Sequence, residues 1–271
     1  MEKPREPLLN VPAVVVALLL MLCAVHAMRV WLLPDALDRD LLRAFAFVPS
    51  RYDAAPPPEL IGGFGARIWT FVTYAFIHAD LTHLGFNSIW LLAFGSPMAR
   101  RFGAARFLAF SAVTAAAGAA LHLAMNIGES EFVIGASAAI SGMMGGSVRF
   151  AFQPGGALDM WRSADGDPDR IPAAPLGAAL RNRRVITFLA IWFGLNLLFG
   201  LGSLSFTGAG QVVAWEAHIG GFLAGLLLFS VFDPVLPVPP QPESSPPPPE
   251  SGPRSPDISL PADPGSKPTL H

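Results

Sequence analysis

Charged residues are scarce. Asp, Glu, Lys and Arg make up 14% of the 271 residues, where a soluble domain carries about 25%. The hydrophobic share is 52% and the mean hydropathy is +0.47, so lipid rather than water is the expected solvent. The net charge is -2, which gives no strong positive field and argues against nucleic acid as a partner. Cys23 is the one cysteine; an intramolecular disulfide is excluded, and cysteine says nothing of the redox compartment. No internal repeat suggests an inverted-repeat transporter.

What the chain has instead is apolar runs. A helix needs about 20 apolar residues to cross a bilayer, and six stretches come near that: Leu8–Leu33, Leu81–Met98, Phe107–Met125, Gly135–Phe152, Val185–Leu201 and Val212–Phe232. The first is too long for a signal-peptide core and reads as a retained span. The expected fold class is all-α: a polytopic membrane protein with residues 8–232 as a six-helix membrane domain. A short N-terminus (1–7), a long outer loop (34–80) and a Pro-, Gly- and Asp-rich cytoplasmic loop (153–184) accompany it. The tail, 233–271, is rich in Pro, Ser and charge, a composition that cannot bury a core and should be disordered.

Positive residues orient the spans. Lys3 and Arg5 precede the first run. Arg100, Arg101 and Arg106 lie between the second and third, and Arg149, Arg162, Arg170, Arg181, Arg183 and Arg184 at or between the fourth and fifth. The loops around Glu129–Glu131 and Ser203–Gln211 contain no Lys or Arg. Both termini are therefore expected in the cytoplasm, although the first outer loop, with Arg39, Arg43, Arg51 and Arg67, departs from the rule.

Polar side chains inside spans are costly, so each is a functional candidate. His83 and Asn87 stand four residues apart in the second run, on one helical face. Ser137 opens the fourth run and His218 lies early in the sixth. With alternating spans, all four fall in the outer half of the bilayer. Small residues indicate which helices touch: Ser137, Ser141 and Gly145 form one row, and Ala217, Gly221 and Gly225 another. Their contact would bring hydroxyl to imidazole. A serine becomes a nucleophile when a base takes its proton, and histidine suits that role. No intramembrane Asp or Glu offers a third member, because Glu216 lies on a different helical face from His218. A Ser–His dyad is therefore expected. The Ser137 backbone N–H, His83 and Asn87 are the candidate oxyanion donors.

These residues resemble the rhomboid family of intramembrane serine proteases. The family's second-helix pattern is matched by His78, His83 and Asn87. The GxSG nucleophile motif is similar to Gly135–Ser137 followed by Ile140–Gly142, and the AHxGGxxxG motif matches Ala217, His218, Gly220, Gly221 and Gly225. The resemblance runs from Trp69 to Phe232 and implies a compact six-helix bundle that cuts membrane-anchored proteins in or near their transmembrane segments, with no metal or cofactor. It implies Ser137 and His218 as catalytic, His83 and Asn87 as oxyanion residues, and His78, Gly135, Ala138 and Gly221 as supporting ones. The expected location is the bacterial inner membrane. Three positions depart from the pattern: Ala138 replaces a glycine, Ser141 an aromatic residue, and Thr70 the Arg of a Trp-Arg pair.

The competing reading is a catalytically inactive rhomboid-like protein that binds membrane clients. A channel or transporter would place polar groups along the whole depth of the bundle. A zinc peptidase is disfavoured because His78 and His83 lack the i, i+4 spacing of HExxH. His26 and His122 read as structural.

Overall fold

The computed structural model describes residues 11–159, 167–200 and 214–235. The N-terminus, part of the 153–184 loop, the Ser203–Gln211 loop and nearly all of the tail lie outside the described residues. The chain divides into two units, Met1–Pro237 and Val238–His271, and the second also lies outside them.

The described residues are helical, with a single antiparallel bridge between Phe47 and Val133. Helix α1 (Ala13–Ala27) continues through a π-turn, Met28–Leu32, and stops before Pro34. Two short helices, α2 (Asp35–Phe45) and α3 (Gly63–Thr73), occupy the long 34–80 loop. Helix α4 (Leu81–Trp90) is capped by Asp80, whose carboxylate accepts from the His83 N–H at 2.8 Å. It runs through a π-turn, Leu91–Gly95, into α5 (Ser96–Phe102). The register change falls just before Pro97, which has no N–H to donate. Gly103 (φ 75°) closes α5 and opens α6 (Ala104–Met125) in one residue. Then follow α7 (Ser137–Ser147), the single turn α8 (Leu176–Ala179), α9 (Arg183–Gly200) and α10 (Trp215–Phe232).

By length and composition, three helices among the described residues are apolar enough to cross a membrane: Ala13–Leu32, Ala104–Met125 and Trp215–Phe232. The second apolar run continues as helix through its π-turn, from Leu81 to Phe102, and the fourth yields an α-helix of 11 residues.

Helix α7 is the axis of the bundle. Every residue from Ala138 to Ser147 is buried. A Cβ on Gly221 would come within 2.0 Å of the Ala138 carbonyl oxygen, and one on Gly145 within 2.3 Å of that of Phe222. On the other side, a Cβ on Gly142 would meet Thr114 of α6 at 2.4 Å. Lipid tails are as apolar as side chains, so close backbone approach of this kind, rather than removal from water, holds membrane helices together.

Helix α6 runs opposite to α7 and α10, which lie side by side in the same direction, Gly221 and Gly225 facing Ala138 and Gly142 in order. The Tyr74 hydroxyl donates to Ala115 O of α6 at 2.9 Å, and a Cβ on Gly118 would lie 2.6 Å from Ala217 O. One end of the bundle thus gathers the C-terminal parts of α1, α6 and α9 with the starts of α4, α7 and α10. At the other end, Arg101 is fully buried and paired with Asp233 through two 2.8 Å contacts. It also donates to Asp169 O and Ile171 O, each at 2.8 Å, and its guanidinium lies 4.5 Å from the Phe150 ring. Asp169 itself is buried and bonded to Arg100. This part of the 153–184 loop is tied into the bundle.

Candidate active site

The nucleophile candidate sits where the chain turns sharply into α7. Gly135 has φ +116°, and its N–H donates to Tyr74 O at 3.0 Å. A Cβ there would come 2.6 Å from Nε2 of His83, so glycine is required both by the backbone and by the imidazole against it. Ser137 is the first residue of α7, and its N–H is among the helix-start donors that have no intrahelical partner.

His218 lies in the first turn of α10, which begins at Trp215, later than the Val212 suggested by hydropathy. Its Nε2 is 2.8 Å from Ser137 Oγ. The two residues stand 81 positions apart and both are half-buried, so the pair is not sealed away from its surroundings.

On the opposite side of the imidazole, His218 Nδ1 is 2.6 Å from Asn196 Oδ1 of α9. The Asn196 amide nitrogen donates to Trp192 O at 2.8 Å, and the residue is buried. Sequence reasoning missed this contact because it sought a third member among carboxylates. The signal was present: Asn196 is a polar side chain inside the fifth apolar run.

On α4, the His83 imidazole lies against Gly135 in the turn before α7, and Asn87 stands one helical turn further on. Asn87 is buried, and its amide donates to the His83 carbonyl at 2.9 Å. The His78 and His83 rings lie edge to face with centroids 5.0 Å apart. His78 is fully buried, its Nε2 3.5 Å from the Ala136 N–H. Its carbonyl accepts from Arg29 at 2.9 Å and lies 3.3 Å from His26 Nδ1. Arg29 in turn grips Asp38 of α2 at 2.7 and 3.1 Å. His26 thus has a structural partner, as does His122, 3.5 Å from Glu216 and 3.2 Å from the Asn126 amide.

The departures from the family pattern have local explanations. The Ala138 methyl faces α6, where it meets Gly118, and so does not crowd the nucleophile: a Cβ on Gly118 would lie 2.7 Å from it. Ser141 is buried; Ser137 and Gly145 of the expected row meet α10 at His218 and Phe222, and the backbone of Ala138 and Gly142 shares that contact. Thr70 is held by Ala66 O at 2.5 Å and by the Tyr52 hydroxyl at 3.3 Å, while Trp69 Nε1 donates to Ala44 O at 2.8 Å. Among the described residues there is no group of three or more His, Cys, Asp or Glu side chains able to hold a metal.

The fold and the site define an all-helical integral membrane protein with a serine hydroxyl against an imidazole at one end of its bundle. The profile of the rhomboid domain matches residues 65–233, more than half of the chain, and the protein belongs to the rhomboid family. Similar curated proteins include the rhomboid protease GlpG of Yersinia pestis (strain Pestoides F) and that of Yersinia pseudotuberculosis serotype O:3 (strain YPIII). Each is 27% identical over 165 residues, 60% of this chain and 47% of the relative. The rhomboid protease GlpG of Serratia proteamaculans (strain 568) is 25% identical over 162 residues, with the same coverage. The chain therefore spans about half the length of the curated relatives it matches.

Proposed function

We propose that the protein is an intramembrane serine endopeptidase that cuts membrane-anchored proteins in or near their transmembrane segments. The observation that carries this reading is the 2.8 Å separation of Ser137 Oγ and His218 Nε2. His218 takes the hydroxyl proton as Ser137 attacks the scissile carbonyl, then delivers it to the leaving amine. The oxyanion is held by the Ser137 N–H, His83 and Asn87, with His78 and Gly135 fixing the turn that presents the serine. Water then releases the acyl group. Gly221 acts in support by letting α10 approach α7, and the small Ala138 methyl by letting α6 approach α7.

The membrane domain takes residues 8–232 as six spans, with both termini cytoplasmic and the dyad near the outer surface of a bacterial inner membrane. The two uninterrupted long helices α6 and α10, the opposed helix directions and the lysine- and arginine-free loop at Glu129–Glu131 support that arrangement.

The test is coexpression with a panel of single-span membrane proteins, comparing the wild type with Ser137→Ala, alongside labelling by a fluorophosphonate. Cleavage and labelling should both vanish in the variant; undiminished cleavage by Ser137→Ala would refute the mechanism. A wild type that neither cleaves nor labels would mark a client-binding relative instead.

A further inference from the structure

We infer that Asn196 is the positioning residue for the base, so that the site operates as Ser137–His218–Asn196. This rests on the Ser–His reading above and adds to it an amide from a third helix. The amide has one orientation that satisfies both of its contacts. Its nitrogen faces Trp192 O, an acceptor, at 2.8 Å, so its oxygen faces His218 Nδ1 at 2.6 Å. Flipping the amide would set the carbonyl oxygen against another carbonyl oxygen.

An amide oxygen only accepts. It therefore selects the tautomer with the proton on Nδ1, and that leaves the Nε2 lone pair directed at Ser137 Oγ, 2.8 Å away. The opposite tautomer would put a proton between Nε2 and the serine and no donor toward Asn196. The same contact stabilises the imidazolium formed during attack, because Nδ1–H becomes a stronger donor when the ring is charged. Asn196 is buried, so water does not compete for either bond. Trp192, whose carbonyl orients the amide, stacks on Phe222 of α10 with centroids 4.5 Å apart. Phe222 is one turn beyond His218 on the same helix, so α9 holds the base from two adjacent levels.

The experiment uses the full chain in detergent micelles and a fluorophosphonate as the probe, so that no natural substrate is needed. The second-order labelling rate at Ser137 is followed against pH for the wild type, Asn196→Ala and Asn196→Asp. Asn196→Ala should slow labelling by about two orders of magnitude. Asn196→Asp should retain a substantial rate, with its acidic limb moved to higher pH, because a carboxylate beside the ring favours the imidazolium. Independently of any variant, 15N spectra of histidine-labelled wild type should show His218 protonated at Nδ1 and unprotonated at Nε2. Wild-type labelling rates in both variants, or the opposite tautomer in the spectra, would overturn the assignment. A wild type that does not label at Ser137 at all would instead sink the Ser–His reading on which it rests.

Discussion

Gly225 of α10 lies so close to Gly142 of α7 that a Cβ on the first would come within 2.0 Å of the carbonyl oxygen of the second. The obstacle is backbone, which cannot swing aside as a side chain can. Gly225→Ala should therefore force the helices apart, at a cost of about 1–3 kcal/mol, and lower the midpoint of thermal unfolding in micelles. Gly85→Ala and Gly194→Ala are the contrast. A Cβ at either position meets nothing within 4 Å, and replacing a helical glycine should leave stability unchanged or raise it by up to about 1 kcal/mol. Equal destabilisation by all three would show that the α7–α10 contact has no special weight.

Gly135→Ala probes the turn before the serine. The residue has φ +116°, and the new methyl would meet His83 Nε2 at 2.6 Å. The imidazole has to move, because its neighbour on that side is backbone. Fluorophosphonate labelling should fall by about 10²-fold, in line with losing one oxyanion donor. An alanine at φ +116° is also strained, so the midpoint of unfolding should fall as well, and labelling is compared at a temperature where the variant is folded.

Much of this was legible in the sequence, and the reason is the cost of polarity in lipid. His83, Asn87, Ser137 and His218 stood out because an apolar run tolerates such residues only for cause. Their convergence followed from helix direction alone. Hydropathy does not tell which face of a helix meets which neighbour. The α7 row does meet α10 at Ser137 and Gly145, but the carbonyls of Ala138 and Gly142 share the contact, which the row alone did not indicate. Asn196 went unassigned because its partner lies 22 residues away on another helix, at a distance no spacing rule covers. Arg101 could be counted as an orienting charge, but its burial against Phe150 and Asp233 depends on how three separate segments close.

The Arg101–Asp233 pair yields a stability prediction with a sign. Both side chains are buried, at 0% and 7% exposure. Taking two charges out of water is expensive, and the pair roughly offsets that cost only while both members remain. Arg101→Met removes the ion-pair partner of Asp233, whose carboxylate keeps the Val235 N–H at 3.1 Å, and leaves the Asp169 and Ile171 carbonyls without the guanidinium; it should destabilise the fold by about 3–5 kcal/mol. Arg101→Met with Asp233→Leu removes that carboxylate as well and should recover part of that loss. Thermal unfolding of the two variants and the wild type in the same micelles decides the matter. A double variant worse than the single one would mean that the carboxylate is stabilised by something other than Arg101.

Asn87 should matter less than the serine, and by a definable margin. Its amide nitrogen carries two hydrogens, and one is committed to the His83 carbonyl at 2.9 Å. On the proposed mechanism the second is offered to the developing oxyanion, alongside the Ser137 N–H and His83. Removing one donor of several costs about 10²–10³-fold in turnover. Removing the nucleophile itself costs about 10⁶-fold. Asn87→Ala should therefore still cleave a single-span protein that the wild type cuts, at a rate reduced by about 10²-fold and with its affinity for that protein little changed. The amide acts on a charge that exists only as the bond breaks, so the loss should fall on kcat. A rise in KM at constant kcat would assign Asn87 to substrate binding instead and remove it from the oxyanion site.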